Sequence, residues 1–220
     1  MSGQALPSPG RAYHAVHLPE DPARPIVWRV LAEHLARWVP ASAEVLEIGA
    51  GYCGWINAVR AARKVAVDVW PEFPRHAAGD VEALVLDAAT GLPSLGAGRF
   101  DVVLASNVLE HFPPDTAARL VGEIGGLLKP GGRAILLQPN FRYAYRRYFD
   151  DYTHRSVFTD VSLPNLLRAH GFDVELVRAR FLPYSMRGFR VPIRAWMVRA
   201  YLRSPLKPGA GQMLVVGRRR

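Results

Sequence analysis

Residues 45–54, Val-Leu-Glu-Ile-Gly-Ala-Gly-Tyr-Cys-Gly, constrain this chain more than any other stretch. An apolar strand runs into a turn with glycines at 49, 51 and 54, and the strand carries one carboxylate, Glu47. Glycine at such a turn lets the backbone reverse and approach a ligand where a Cβ would intrude. Gly49, Gly51 and Gly54 satisfy the Gly-x-Gly-x-x-Gly pattern, and Asp68 closes a second apolar strand at the distance of a ribose-binding acid. Glu47 opposes a dinucleotide reading. A carboxylate beside the turn repels a pyrophosphate and attracts a cation.

The rest of the chain alternates strand and helix patterns. Pro25 suits the first turn of a helix reaching about Trp38, with Ile26, Val30, Leu31 and Leu35 on one face. Strands are expected at Val45–Ile48, Val65–Val67, Ala83–Leu86, Arg99–Ala105 and Ala134–Leu137. A helix is expected over Cys53–Arg63, and another from Pro114 that aligns Leu120, Val121, Ile124, Leu127 and Leu128. Lys129-Pro-Gly-Gly132 reads as a tight turn. A helix around Ser162–His170 stops at Gly171, and strands follow at Phe172–Arg180 and Gln212–Val216. Near-continuous apolar strands separated by helices predict an α/β fold, a doubly wound, mostly parallel sheet covered on both faces. Glu47, Asp68, Asp87 and Ser106–His111 all follow strand ends, where ligands of such sheets sit.

Taken together these residues resemble class I S-adenosylmethionine-dependent methyltransferases. The resemblance rests on Val45-Leu-Glu-Ile-Gly-Ala-Gly51, Asp68, Asp87-Ala88, Phe100-Asp-Val-Val-Leu-Ala-Ser-Asn-Val-Leu-Glu-His111 and Leu127-Leu-Lys-Pro-Gly-Gly132. It implies a Rossmann-like seven-stranded sheet whose last strand inserts antiparallel between its neighbours. It also implies S-adenosylmethionine as cofactor, with Glu47 serving the methionine ammonium and Gly49, Ala50 and Gly51 the close backbone. Asp68 would serve the ribose hydroxyls, Asp87 and Ala88 the adenine, and Ser106 and Asn107 the methionine moiety. One departure is visible: many members place a glycine two residues after Gly51, where this chain has Cys53.

Transfer to an oxygen needs a base for the departing proton. His111 and His154 are the candidates, with Tyr13, His14 and Tyr152 as pocket walls. Gln138–Tyr148 adds arginines and aromatic rings suited to phosphates, carboxylates, sugars or bases, and places Asn140, Arg142 and Tyr143 among the acceptor contacts. Asp150, Asp151 and His154 are too few to read as a metal site, so no metal is expected. Cys53, the single cysteine, excludes an internal disulfide and has no evident base to make it a nucleophile.

Charge divides the chain. Residues 1–140 hold 12 Lys/Arg against 14 Asp/Glu, a balance of −2, and residues 141–220 hold 16 against 5, a balance of +11. Residues 1–23 read as a flexible lead-in and 24–220 as one domain with a basic insertion at 181–210. Within it Ile193, Trp196, Met197, Ala200 and Tyr201 share a helical face, with Arg187, Arg190, Arg194, Arg199, Arg203 and Lys207 interleaved. Residues 186–207 are thereby suited to an anionic membrane surface, to their own domain, or to a second copy in a homodimer. The insert is similar to those of bacterial methyltransferases of surface-polysaccharide and lipid-linked glycan pathways, which implies a glycan-like or other small-molecule acceptor. Without a signal peptide or an apolar run of about 18 residues, a cytoplasmic protein is expected, peripheral to the inner membrane face if the insert binds lipid. A nicotinamide-dependent oxidoreductase and an RNA methyltransferase or nucleic-acid-binding protein are the competing readings. No RNA-binding module is evident, and nucleic acid is not the expected partner.

Overall fold

The apolar runs that begin at Glu44 and Phe100 become neighbouring parallel strands, with Val45 opposite Val102 and Ile48 opposite Ala105. The computed structural model of the chain describes residues 21–184 and 192–220. Tyr13, His14, Arg187, Phe189, Arg190 and nearly all of the expected lead-in lie outside them. The strands are β1 (Glu44–Ile48), β2 (Arg63–Asp68), β3 (Val81–Val85), β4 (Phe100–Ser106), β5 (Leu128–Pro139), β6 (Phe172–Pro183) and β7 (Ala210–Arg219). They form one seven-stranded sheet in the order β3-β2-β1-β4-β5-β7-β6. β1 to β5 pair parallel, and β7 runs antiparallel to both β5 and β6.

Successive strand residues point to opposite faces, and each face has its own core. Val45, Leu104, Ile135 and Leu214 pack under α1 (Arg24–Leu35) and α2 (Gly54–Ala58). Leu46, Val103, Leu136 and Val215 pack under α4 (Pro114–Leu127) and α6 (Ser162–Ala169). Between them lie α3 (Ala88–Gly91) and α5 (Phe141–Ala144). The apolar stripe of α4 buries Leu120, Val121, Ile124 and Leu127, as its periodicity predicts.

Three elements depart from expectation. The helix predicted over Cys53–Arg63 is only Gly54–Ala58, because Arg63 already pairs with Glu44 and the amides of Ala62 and Arg63 donate to Ala43 O at 2.9 and 3.3 Å. The third strand is Val81–Val85, set by pairing Lys64 with Val81 rather than by its most apolar residues. Lys129–Gly132 is a bulge inside β5: pairing runs from Phe100–Leu128 to Val102–Arg133, with Gly131 at φ 76°.

The basic insertion contains α7 (Ala195–Arg203), which lies against α1. Its inward residues are Ile193, Ala195, Val198, Tyr201 and Leu202, so Ile193 and Tyr201 of the predicted face pack inward, whereas Trp196 is 67% exposed. Arg199 forks onto Glu33 of α1 at 3.0–3.1 Å, and the neighbouring Val198 is buried. Among the described residues no helix is long and apolar enough to cross a membrane.

Candidate active site

At the carboxyl end of β1 the chain enters left-handed backbone at Gly49 (φ 72°) and Gly51 (φ 49°). A Cβ on Gly49 would run into Val108. The amides of Gly49 and Ala50 donate to Val67 O, so the turn hangs from the end of β2. Asp68 completes that attachment: Oδ2 accepts from Gly51 N and Oδ1 from Trp70 N, each at 2.8 Å. An ionised carboxylate has about four lone-pair sites, so acceptor capacity remains for hydroxyl donors. Glu47 is buried beneath the turn, and Oε2 accepts from Ile56 N at 3.0 Å. Burial, reinforced by the Asp68 charge, pushes its carboxyl up to about 8.

Cys53 also lies in left-handed backbone, at φ 55°, where the resemblance places glycine. Its thiol is buried near Gly51 O and Phe73 O, at 3.9 and 3.8 Å. Burial, with the Glu47 and Asp68 charges behind it, raises the thiol to about 12, which makes it a poor nucleophile. Gly54, the third glycine of the motif, serves packing: a Cβ there would strike the Trp28 ring.

Sequence reasoning missed a ring cluster beside this turn. Trp70 stacks on His76 with centroids 5.2 Å apart, and Tyr52 meets them edge-on at 5.3 and 4.8 Å. Position was the available signal, since Tyr52 is inside the turn and Trp70 lies two residues past Asp68. Further along the same sheet edge, Asp87 is exposed and caps α3, accepting from Ala89 N at 2.8 Å, with Ala88 opening that helix. Ser106 ends β4, and Asn107 sits exposed at φ 53° with its amide donating to Leu137 O.

A second group forms where the segment after β5 folds back over the end of β4. Asn140 is buried and caps α5: its amide nitrogen donates to Asp160 Oδ1 and Ala179 O, and its oxygen accepts from Arg142 N. It therefore anchors the segment. Arg142 pairs with Asp160 at 3.2 Å, while Tyr143 and Tyr152 are exposed, with Arg180 5.5 Å from the Tyr143 ring. The buried Tyr148 hydroxyl donates to Ser156 O, and Glu110 O accepts from the amides of Arg155 and Ser156. This stitching sets His111 and His154 with ring centroids 5.0 Å apart. Thr153 Oγ1 donates to Asp151 Oδ1 at 2.6 Å and lies 2.8 Å from His111 Nδ1. Glu110 is fully buried beside them, and burial, then the Asp151 charge, raises its carboxyl to about 8. Glu110 is the second group that sequence reasoning passed over.

Residues 23–177 match a family described as a methyltransferase domain. The chain belongs to this family. Over 110 residues the methyltransferase is 34% identical to a ubiquinone biosynthesis O-methyltransferase of Xanthomonas axonopodis pv. citri (strain 306). That match covers 46% of this chain and 45% of the relative, so less than half of the relative's length is represented. An S-adenosylmethionine-dependent methyltransferase of Archaeoglobus fulgidus has the same fold, with a TM-score of 0.65 at 18% identity over 87% of this chain and 94% of that one. So does the N-methyltransferase NodS of Bradyrhizobium japonicum WM9, in complex with S-adenosylhomocysteine, with a TM-score of 0.62 at 14% identity over 93% and 91%. The fold and family are those of class I S-adenosylmethionine-dependent methyltransferases, and S-adenosylmethionine is the cofactor. The methyltransferase's own residues fit it: two buried carboxylates at adjacent strand ends suit a cation and a diol, and a glycine turn admits close backbone approach.

Proposed function

We propose that this methyltransferase moves a methyl group from S-adenosylmethionine to an oxygen of a small-molecule acceptor, which is activated at His111 and His154. The observation that carries the reading is the hydrogen-bond chain behind His111. Thr153 Oγ1 spends its single proton on Asp151 Oδ1, so at 2.8 Å it accepts from His111 Nδ1–H. The lone pair then lies on Nε2, the form in which an imidazole takes a proton from a hydroxyl. When bound, the cofactor supplies an electrophilic methyl group on a sulfonium. Glu47, giving up the proton that burial favours, holds its ammonium, Asp68 its ribose hydroxyls, Asp87 and Ala88 its adenine, and Ser106 and Asn107 flank the methionine moiety. The glycine turn at Gly49–Gly51 supplies the close backbone. Arg142, Tyr143 and Tyr152 offer an exposed surface to the acceptor.

Similarity to an O-methyltransferase of ubiquinone biosynthesis supports oxygen as the accepting atom. The test is release of S-adenosylhomocysteine from S-adenosylmethionine in the presence of small phenols or of sugar acceptors. Turnover is expected on a phenol, and His154→Ala should lower it about 10²–10⁴-fold while leaving S-adenosylhomocysteine affinity unchanged. Turnover on sugars alone would move the acceptor to the glycan class, and an unaffected His154→Ala would remove that imidazole from the chemistry. Exposure of Trp196 (67%) and Leu206 (76%), near Arg194 and Arg203, also favours peripheral contact with an anionic membrane. Sedimentation with anionic vesicles, reduced by Trp196→Ser, is the expected outcome; indifference to such vesicles ends that reading.

A further inference from the structure

The carboxylate of Glu110 is fully buried, and neither of its oxygens has a hydrogen-bond partner among the described residues. Buried polar groups are nearly always satisfied, so an orphaned carboxylate calls for a counterpart. It faces two imidazoles: one ligand-type atom from each of Glu110, His111 and His154 lies within 4.8 Å of the others. We propose that these three side chains bind one divalent transition-metal ion of the zinc class, whose remaining coordination positions take an oxygen of the acceptor.

The donor set argues for that class. Two imidazoles and one carboxylate suit zinc and its neighbours, whereas magnesium and calcium are bound mainly by oxygen. Three protein ligands leave a position open, which is the pattern of reactive rather than structural sites. Ligand distances of about 2.0–2.2 Å bring donor atoms closer together than they stand here, so the three side chains draw inward on binding.

Two further features hold the ligands in place. His111 gives its Nδ1–H to Thr153 Oγ1, which in turn donates to Asp151 Oδ1. A metal-bound imidazole commonly has such a partner behind it, because that bond fixes ring orientation and tautomer. The other Asp151 oxygen lies 3.9 Å from His154 Nε2, within ion-pair range of the second ring. Meanwhile Glu110 O accepts from Arg155 N at 2.7 Å and Ser156 N at 3.1 Å, and Ser156 Oγ donates to Phe112 O at 2.6 Å. These bonds lock the two ligand-bearing segments together. With the ion bound, the His111 and His154 lone pairs are committed to it, and activation of the acceptor oxygen passes from proton removal by His111 to the ion. That role rests on the proposed oxygen methylation; ion binding does not.

The purified protein, stripped with a chelator, is titrated with Zn²⁺ by calorimetry and with Co²⁺ by visible absorption. One ion per chain is expected, with a cobalt spectrum of mixed nitrogen and oxygen ligation. Glu110→Gln and His154→Ala should each weaken binding by more than about 100-fold, and Thr153→Val by about 10–100-fold. Circular dichroism identifies any variant that fails to fold, and Thr153→Val keeps the test independent of the buried glutamate. Absence of ion binding in the folded wild type, or wild-type affinity in Glu110→Gln and His154→Ala, would overturn the site. A parallel titration with S-adenosylhomocysteine separates the two readings. Cofactor binding without ion binding sinks the metal site alone, whereas ion binding without cofactor binding leaves the metal site standing and sinks methyl transfer.

Discussion

Cys53 holds a left-handed backbone conformation at φ 55°, which costs a non-glycine residue about 1–2 kcal/mol, yet its side chain is fully buried. Cys53→Gly therefore exchanges strain relief for lost packing, and urea denaturation should find it within about 1 kcal/mol of the parent chain. Cys53→Val adds a branched Cβ in the same conformation and should destabilise by more than about 2 kcal/mol. Equal losses in both variants would show that packing alone governs the position. Glu47 yields a pH test. Its carboxyl is raised from an ordinary 4.5 to about 8, so the folded chain keeps a proton that the unfolded chain has lost. Its contribution is complete below about 4.5 and is lost as pH rises through about 8. Across that window wild-type stability should fall relative to Glu47→Gln, by up to about 1.4 kcal/mol per pH unit. A flat difference would mean that Glu47 is already ionised. Glu47, Gly49 and Gly51 were legible in the sequence because the turn they make is local, and Asp68 because it closes the next apolar strand. Glu110 was not, since its isolation from partners depends on residues 148–156 folding over it.

At the scale of elements, strong periodicity was readable and competition between neighbours was not. The stripe of α4 predicted its own burial. The run after Cys53 looked helical well past Ala58, but β2 claims Arg63 for pairing and cuts the helix short. Helix α7 was correctly expected from its spacing, yet its orientation follows from the α1 surface that buries Val198, beside which Glu33 meets Arg199. That exposed ion pair should contribute little, and Arg199→Gln is expected to cost no more than about 1 kcal/mol. Val198→Asp puts a charge into the α1–α7 contact and should release α7, read as faster proteolysis within residues 192–209. Unchanged cleavage would mean that α7 is held by something other than Val198.

For the whole molecule, parallel order from β1 to β5 brings the carboxyl ends of five strands to one edge, and the antiparallel β7 joins β6 to β5. That edge was predictable because strand ends bearing Glu47, Asp68, Asp87 and Ser106 follow the rule for doubly wound sheets. The acceptor side was only half legible, because its geometry comes from hydrogen bonds between the end of β4 and the segment after β5. The central claim is that the glycine turn and its two carboxylates serve S-adenosylmethionine rather than a nicotinamide cofactor. Calorimetric titration with S-adenosylhomocysteine, alongside NADH and NADPH, tests it directly. The homocysteine compound alone should bind, and Asp68→Ala should weaken it by about 1.5–3 kcal/mol. Binding of NADH or NADPH in its place, or an Asp68→Ala chain that binds as well as wild type, would contradict the account.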